Sequence, residues 1–161
     1  MSAAHPEITV AAIAESEGRF LVVEERISQR LVFNQPAGHV EPGETLLSAV
    51  VREVREETAW RFDPHSLIGV YTWRSPKSGV TTKRFTFCGS VDDHRTTQAL
   101  DDGIVATHWL SRAELQRRER QLRSPLVLRC IEDYLSGKRS PLESVAHLDF
   151  DTAHLTAAVA V

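Results

Sequence analysis

One predicted helix constrains this chain more than any other feature of its sequence. Residues 45–59 read TLLSAVVREVREETA, and Thr45 is suited to the N-cap position because its side-chain oxygen can accept a free backbone N–H. Four apolar residues recur at helical spacing and predict one buried stripe: Leu46, Leu47, Val50 and Val54. The helix must therefore pack on a core with one side and present charge on the other.

The charged side of this helix carries three acids in one patch. Glu53, Glu56 and Glu57 stand at i, i+3 and i+4, positions that are neighbours on a helix surface. Each like-charged pair costs a few tenths of a kcal/mol there, whereas a hard divalent cation needs several carboxylate oxygens at close range. Glu56 and Glu57 alone are more typical of a solvated acidic face, so the case for a cation depends on the wider pattern.

The residues around the acids complete a longer pattern. Gly38 is followed by five residues and Glu44, and seven residues later the chain reads REVREETAW over positions 52–60. This resembles the Nudix box, in which Gly, five residues, Glu and seven residues precede Arg-Glu-apolar-any-Glu-Glu-any-Gly-apolar. The one departure is Ala59 where the family usually has Gly. Alanine in the left-handed backbone that ends a helix costs about 1 kcal/mol or shifts the exit turn, but it removes no ligand.

The resemblance implies an α/β (α+β) Nudix fold, with a mixed β-sheet between helices and a catalytic loop–helix–loop at residues 38–60. It implies that Mg²⁺ or Mn²⁺ is held by Glu53, Glu56 and Glu57 and by a backbone carbonyl of Ala37 or Gly38. It also implies that Glu44 and Arg52 form a pair that orients the site. Glu41, in the same loop, is expected to stabilise the loop rather than to bind metal directly.

The expected reaction is hydrolysis of a phosphoanhydride, for which a carboxylate must take a proton from water. Within the box, Glu56 or Glu53 is the expected base. Nudix enzymes also take this base from a later loop, and Asp101–Asp102 precedes a predicted strand. Asp92–Asp93 is a further candidate, although each of these pairs is more typical of an ordinary turn.

Segments outside the box resemble phosphatases of the same family over nearly the whole chain. They are RFLVVEE, NQPAGHVEPGETL, LRSPLV and YLSGKRSPLE. This resemblance implies stepwise release of orthophosphate from nucleoside tri- and diphosphates. It also implies action on thiamine pyrophosphate and on hydroxymethylpyrimidine pyrophosphate. The chain departs from these relatives at Phe33, where Trp is expected, and over Ser75–Thr82.

Several residues are candidates for substrate contacts. Arg84 is the preferred phosphate-binding cation, with Arg26 and Lys83 as further candidates that are otherwise ordinary surface charges. Gln35 precedes the metal loop and can hydrogen-bond the edge of a base or pyrimidine. Two aromatic residues can stack on that ring, although core packing is the commoner role of such side chains: Trp73 and Phe33. His39 is expected to be a solvated loop residue.

The remaining pattern predicts the fold. Residues 8–14 and 19–24 predict an early hairpin, residues 67–73, 83–89 and 104–110 predict three further strands, and Ser111 with Glu114 forms a capping box. Ser124 and Pro125 open a last helix that Gly137 ends. We expect one domain over residues 1–161, with a core over about 6–137 and a tail over 138–161.

Composition excludes several classes of function. The net charge of −3 over 161 residues and the absence of a basic stripe argue against nucleic-acid binding. No apolar stretch is long enough to cross a bilayer, and MSAAHPE lacks the pattern of a secretion signal. Cys88 and Cys130 lack metal-ligand spacing and are expected to be buried free thiols. We expect a cytoplasmic monomer or homodimer with a small-molecule phosphoanhydride substrate.

Two other functions within the same family remain open. One is a pyrophosphatase that converts nucleoside triphosphates to monophosphates, or that splits ADP-ribose or dinucleoside polyphosphates. The other is a non-catalytic nucleotide sensor, which the intact set of acids and the lack of room for a second domain argue against. RNA decapping has no support in the sequence, because no RNA-binding region is evident.

Overall fold

The computed structural model describes residues 5–148. It contains seven strands and three α-helices: β1 Glu7–Ser16, β2 Arg19–Ile27, β3 Arg30–Asn34, β4 Ala37–His39, α1 Leu46–Thr58, β5 Arg61–Arg74, β6 Thr81–Asp92, β7 Ile104–Ser111, α2 Arg112–Arg117 and α3 Leu126–Leu135. Single turns of 3-10 helix cover Glu119–Gln121 and Leu142–Ser144. All five strands and three helices predicted from the sequence are present.

Strand β1 lies at the centre of the sheet. It pairs in parallel with β6 along most of its length and antiparallel with β4 and β2. The strand order is β3-β2-β1-β6-β5, with β4 also bonded to β1 and β7 to β2. The sheet is therefore mixed, as predicted, and β4 is an additional short strand in what the sequence predicts to be a loop.

Both faces of the sheet are covered by helices. Val50 and Val54 of α1 belong to one buried cluster, which includes Ala12 of β1. Cys130 of α3 belongs to a second cluster on the opposite face, which includes Ile13 of the same strand. Because successive side chains of a strand point to opposite faces, β1 must be apolar at consecutive positions, and residues 10–14 are all buried.

Helix α1 begins and ends at defined caps. The Thr45 hydroxyl accepts a hydrogen bond from the Ser48 backbone N–H, and the Ser48 side chain accepts one from the Thr45 N–H. At the other end Ala59 adopts the left-handed conformation, with φ of 61°. The expected alternative, a shifted exit turn, does not occur, because Ala59 takes the conformation that the family's usual glycine would take.

The segment after β6 covers the carboxyl end of α1. The Gln98 side chain donates to the Arg55 carbonyl at 2.6 Å. The Asp101 backbone N–H donates to the Glu56 carbonyl at 2.9 Å, and the Arg95 N–H donates to the Ala59 carbonyl at 3.0 Å. These bonds satisfy carbonyls that a helix end leaves free, and they fix Asp101 beside the acids of α1.

The chain after α3 returns to the sheet. Ser140 and Leu67 exchange two backbone hydrogen bonds, of 2.8 and 2.9 Å. Leu142 and Val145 then pack on the cluster under α1. Residues 1–4 and 149–161 lie outside the described residues, so the division into a core over 6–137 and a tail over 138–161 stays a prediction.

Within residues 5–148, no helix has the length and apolar character that a membrane span requires.

Candidate active site

The Arg52 guanidinium joins the loop before α1 to the acids on α1. It donates to both oxygens of Glu44, at 2.6 and 2.9 Å. It also donates to Glu53 at 2.8 Å, to Glu56 at 3.0 Å and to the His39 carbonyl at 3.0 Å. The bond between Arg52 and Glu44 is the main cause of a raised arginine pKa and a lowered pKa of the Glu44 carboxyl. Three of these five contacts, two with Glu44 and one with the His39 carbonyl, hold the loop against the helix.

Glu57 is the most deeply buried acid of the site. Its carboxylate accepts a hydrogen bond from the Ala37 backbone N–H at 2.8 Å. Burial raises its pKa to about 8, and the negative charges of Glu53, Glu25 and Asp101 add to this effect. Burial also raises the pKa of Glu53. Two acids with raised pKa values on one helix face indicate a place where positive charge is needed.

The backbone of β4 approaches the acids closely at Gly38. A Cβ atom at this position would lie 2.1 Å from the Glu53 carboxyl group, far inside van der Waals contact. A larger residue here would force the Glu53 carboxylate to leave its present position. The box glycine therefore brings the peptide groups of Ala37 and Gly38 beside Glu53 and Glu57.

These groups line an open cleft of about 420 Å³. Its acids are Glu41, Glu53, Glu56, Glu57 and Asp101. Arg52, Ala37, Gly38 and His39 also line it. The cleft therefore collects most of the box residues that the sequence assigns to metal binding and catalysis.

The donors of the cleft fit a hard divalent cation in their chemistry. Carboxylate and carbonyl oxygens are the ligands that Mg²⁺ and Mn²⁺ prefer. Among residues 5–148, no three acidic, histidine or cysteine side chains converge on one point as they stand. Arg52 binds one oxygen each of Glu53 and Glu56. The second oxygen of each carboxylate makes no bond to this guanidinium.

The later acids that the sequence offers as bases differ in position. Asp101 lines the cleft, while Asp102 is exposed and does not line it; its backbone N–H donates to the Asp101 carboxylate. Asp92 pairs with Arg61 across two strands. Asp93 pairs with Arg55 at 3.0 Å. Of these four residues, only Asp101 is placed beside the box acids.

Arg84 is a buried cation with weak partners. Only 7% of the residue is exposed, and burial lowers its pKa. Its nearest acceptors are Asn34 at 3.5 Å and Gln35 at 3.4 Å, both long for hydrogen bonds. In the described part of the chain, no carboxylate pairs with it directly and its Nε atom has no partner. A buried charge normally requires a close counter-charge, so Arg84 is suited to receive an anion.

The other candidate substrate residues are more dispersed. Gln35 is fully buried, and its amide nitrogen donates to the Val127 carbonyl of α3 at 2.7 Å. Its amide oxygen lies 3.4 Å from the Arg84 guanidinium. Phe33 contacts His108 edge-to-face, and Trp73 is partly buried against the α3 cluster. Two further candidates are exposed: Arg26 and Lys83.

Two polar residues near Arg84, Thr9 and Glu25, were not predicted from the sequence to be part of the site. Among residues 5–148, three buried side-chain atoms have no hydrogen-bond partner: Thr9 Oγ1, Glu25 Oε1 and Arg84 Nε. Thr9 is the register neighbour of Arg84 on the adjacent strand. Glu25 follows four consecutive buried residues, 20–23, so no alternation indicates that its side chain turns inward. Thr9 is not indicated either, because threonine is common in strands.

Comparison with known proteins agrees with this geometry. The NUDIX domain family matches residues 4–130. Phosphatase NudJ of Escherichia coli K12 is 39% identical over 145 residues, which cover 90% of this chain and 94% of that protein. Phosphatase NudJ of Shigella sonnei has the same identity and coverage.

Solved structures agree as well. A NUDIX hydrolase from Nitrosomonas europaea has 43% identity and a TM-score of 0.89, over 91% of this chain and all of that one. A MutT NUDIX hydrolase from Burkholderia pseudomallei, at 19% identity and a TM-score of 0.69, covers 81% of this chain and 98% of that one and shares the fold. The match to the family, the box with all of its acids and the cleft built from it together show that the chain belongs to the Nudix family of hydrolases.

Proposed function

We propose that this enzyme is a Mg²⁺-dependent phosphatase of small organic phosphoanhydrides. Its substrates would be nucleoside tri- and diphosphates and thiamine-type pyrophosphates, from which it releases orthophosphate. The observation that carries the proposal is a cleft that contains the buried acids Glu53 and Glu57, together with the buried Arg84, with which no carboxylate pairs directly among residues 5–148. Arg84 lies close enough to Glu57 for the two charges to interact. The similarity to NudJ phosphatases over 90% of the chain supports the same function.

The proposed metal ligands are the box acids. Glu53, Glu56 and Glu57 would hold Mg²⁺, or Mn²⁺ in its place, together with a carbonyl of Ala37 or Gly38. Such an ion neutralises phosphate charge and makes a bound water more acidic. Glu57 is held in place by the Ala37 N–H, so one ligand is oriented before the ion arrives.

The protein's own groups would divide the remaining work. Arg84 binds a phosphate of the substrate, because a buried guanidinium without a carboxylate gains most from an anion. The base that takes the proton from water is Glu56 or Glu53, with Asp101 as the candidate from the neighbouring loop. Arg52 keeps Glu44 and the loop in register with these acids.

We also propose that the enzyme acts in the cytoplasm. Both cysteines, Cys88 and Cys130, are free and buried. Free thiols persist in a reducing compartment.

The decisive experiment separates products. Purified protein is incubated with GTP, GDP, ADP-ribose and thiamine pyrophosphate, with Mg²⁺ or with EDTA, and orthophosphate, pyrophosphate and monophosphates are measured. We expect Mg²⁺-dependent orthophosphate from GTP, GDP and thiamine pyrophosphate. Glu57→Gln should lower the rate by about 100-fold or more, because it removes a charged ligand of the metal.

The matched control is Glu143→Gln, which changes an exposed glutamate outside the cleft and should retain the wild-type rate. Release of pyrophosphate from GTP, or of monophosphates from ADP-ribose, would assign the enzyme to another Nudix pyrophosphatase activity. Tight nucleotide binding without any turnover would contradict the proposal and favour a sensor.

A further inference from the structure

Glu25, on β2, is a largely buried charged residue that has no role in the proposed chemistry. Its side chain is 18% exposed, and its Oε1 atom has no hydrogen-bond partner among the residues that the structure describes. The nearest cation is Arg123, whose Nε lies 3.8 Å from Oε1. This distance is too long for a hydrogen bond.

An ion pair with Arg123 is the ordinary explanation of Glu25, and it is a weak one. The Arg123 side chain is about half exposed, and such pairs contribute roughly 0–1 kcal/mol. The desolvation of Glu25 works against that gain, and it is the main reason why the pKa of this carboxyl is raised. The Asn34 side chain also interacts with the carboxylate and lowers its pKa, but the Oε1 atom stays without a hydrogen bond among residues 5–148.

The strand register places Glu25 on the same side as the groups around Arg84. Asn34 of β3 lies opposite Val23, and Glu25 follows Val23 by two residues, so all three side chains share one face of the hairpin. The Asn34 side chain contacts Arg84 at 3.5 Å. The charge of Glu25 also interacts with the charges of both Arg84 and Glu57. The Glu25 carboxylate thus lies in the same interior region as the proposed phosphate cation and the box acids.

A carboxylate oxygen accepts hydrogen bonds and attracts positive charge, whereas phosphate oxygens would be repelled by it. The Arg84 guanidinium, in contrast, attracts anions. The two residues therefore cannot bind the same part of a substrate. Arg84 suits the phosphates, and Glu25 suits an electron-poor organic group attached to them.

We propose that Glu25 is the residue that selects the organic part of the substrate, by binding paired N–H donors or a cationic ring. The proposal rests on the proposed function. Two substrate types share this chemistry: guanine, with two adjacent N–H donors, and the thiazolium of thiamine, with a positive charge. Uracil has one N–H between two carbonyl oxygens, and those oxygens are repelled by a carboxylate.

The test compares wild-type enzyme with Glu25→Gln on GDP, thiamine pyrophosphate and UDP. Glutamine has nearly the same shape but no charge, and it has one acceptor oxygen instead of two. We expect KM to rise about tenfold or more for GDP, thiamine pyrophosphate or both, with kcat changed less than threefold and KM for UDP unchanged. A rise for GDP alone assigns Glu25 to paired N–H donors, and a rise for thiamine pyrophosphate alone assigns it to the cation.

Glu24→Gln is the matched control, because Glu24 is the neighbouring residue on the opposite face of β2 and bonds His108 at 2.8 Å. It should not change the ratio of KM values among the three substrates. An equal change for all three substrates in Glu25→Gln, or a fall in its melting temperature of more than about 5 °C, would overturn the proposal and assign Glu25 to a structural pair with Arg123.

A second measurement keeps this inference separate from the proposed function. If the wild-type enzyme hydrolyses none of the three compounds, the phosphatase proposal fails. Titration calorimetry of GDP, thiamine pyrophosphate and UDP in the presence of Mg²⁺ then still tests Glu25. Weaker binding of GDP or thiamine pyrophosphate by Glu25→Gln, with binding of UDP unchanged, would support its role, and equal affinities of the two proteins for all three would refute it.

Discussion

The fold buries the Glu57 carboxyl group, which makes its charged form unfavourable in the absence of a cation. Its pKa near 8 arises first from burial, and the neighbouring acids add to it. The hydrogen bond from the Ala37 N–H lowers this pKa and offsets only part of the effect of burial. A bound metal ion would remove the free-energy cost of keeping Glu57 charged, because it supplies the missing positive charge.

The first prediction concerns stability and pH. The folded-state pKa of Glu57 lies above its ordinary value of 4.5, so between about pH 4.5 and pH 8 the metal-free native state binds more protons than the unfolded state. The contribution of Glu57 to stability must therefore fall as pH rises through this window. In EDTA at pH 8, Glu57→Gln should be more stable than wild type by about 1–2 kcal/mol, and the difference should shrink toward pH 5.

Urea unfolding at pH 5, 6.5 and 8 measures this effect. Addition of Mg²⁺ should stabilise the wild-type protein at pH 8 and should stabilise Glu57→Gln much less. Glu143→Gln, with an exposed side chain, should follow the wild-type curve. Equal pH dependence in wild type and Glu57→Gln would show that this acid is not the source of the effect.

At the residue scale, the sequence predicts the cleft better than its surroundings. The box residues can be named because they match the spacing of the Nudix box, and the fold brings Gly38, Glu44 and Arg52 to the acids of α1. Thr9 and Glu25 cannot be found in this way, because their burial depends on which strands become neighbours. Thr9 lies beside Arg84 only because β1 and β6 pair in parallel.

At the scale of elements, the end of α1 shows how the chain accommodates its departure from the box. A left-handed alanine costs about 1–2 kcal/mol relative to a favoured conformation. Glycine would recover this cost, but it would lose a buried methyl group, worth about 0.8 kcal/mol, and would gain freedom in the unfolded chain, worth about 0.4–1 kcal/mol. The opposing contributions nearly cancel, which explains why Ala59 is tolerated.

The second prediction follows from that balance. Ala59→Gly should change the free energy of unfolding by less than about 1 kcal/mol and leave kcat/KM unchanged. Ala59→Val should lower it by about 2 kcal/mol or more, because a β-branched residue resists positive φ. Activity should fall as well, because the Ala59 carbonyl accepts the Arg95 N–H of the segment that carries Asp101.

Urea unfolding and steady-state kinetics test both variants. Ala113→Val is the control, since Ala113 is an exposed residue of α2 and valine there should cost only about 0.5 kcal/mol. A stable and fully active Ala59→Val protein would show that the helix exit does not position the segment after β6.

The strands illustrate why element boundaries are harder to predict than elements. The sequence predicts a strand over residues 67–73, whereas β5 covers Arg61–Arg74. Pro64 and Gly69 interrupt the strand pattern, and the register shifts beside both of them, so the interruption is a pair of bulges rather than an end. Strand β4 was missed because Pro36 and Gly38 indicate a loop, while pairing with β1 makes the segment a strand.

At the scale of the whole molecule, the segment after α3 completes the core. Ser140 pairs with Leu67, and Leu142 packs on the cluster that supports α1. This segment follows residue 130, where the match to the family ends. The helix that carries the acids is thus supported in part by residues outside the matched region.

The third prediction tests this support. Leu142→Ala should lower the free energy of unfolding by about 1–3 kcal/mol, because it removes a side chain packed on the core. The control is Leu148→Ala, since Leu148 is 85% exposed and should tolerate the change within about 0.5 kcal/mol. Chemical denaturation of the two variants gives the comparison, and equal stabilities would show that Leu142 does not contribute to the core.

The central position of β1 also has a consequence for how the protein folds. β1 meets β2 and β4 soon after it is synthesised, but its parallel partner β6 comes much later in the chain, as the pairing of Ile8 with Lys83 shows. Closing such a long loop before any contact repays the lost entropy is slow. We therefore expect refolding on the scale of about milliseconds to seconds. The β1–β4 pairing that brings Gly38 toward the acids can form early, whereas Arg84 is delivered only when β6 docks.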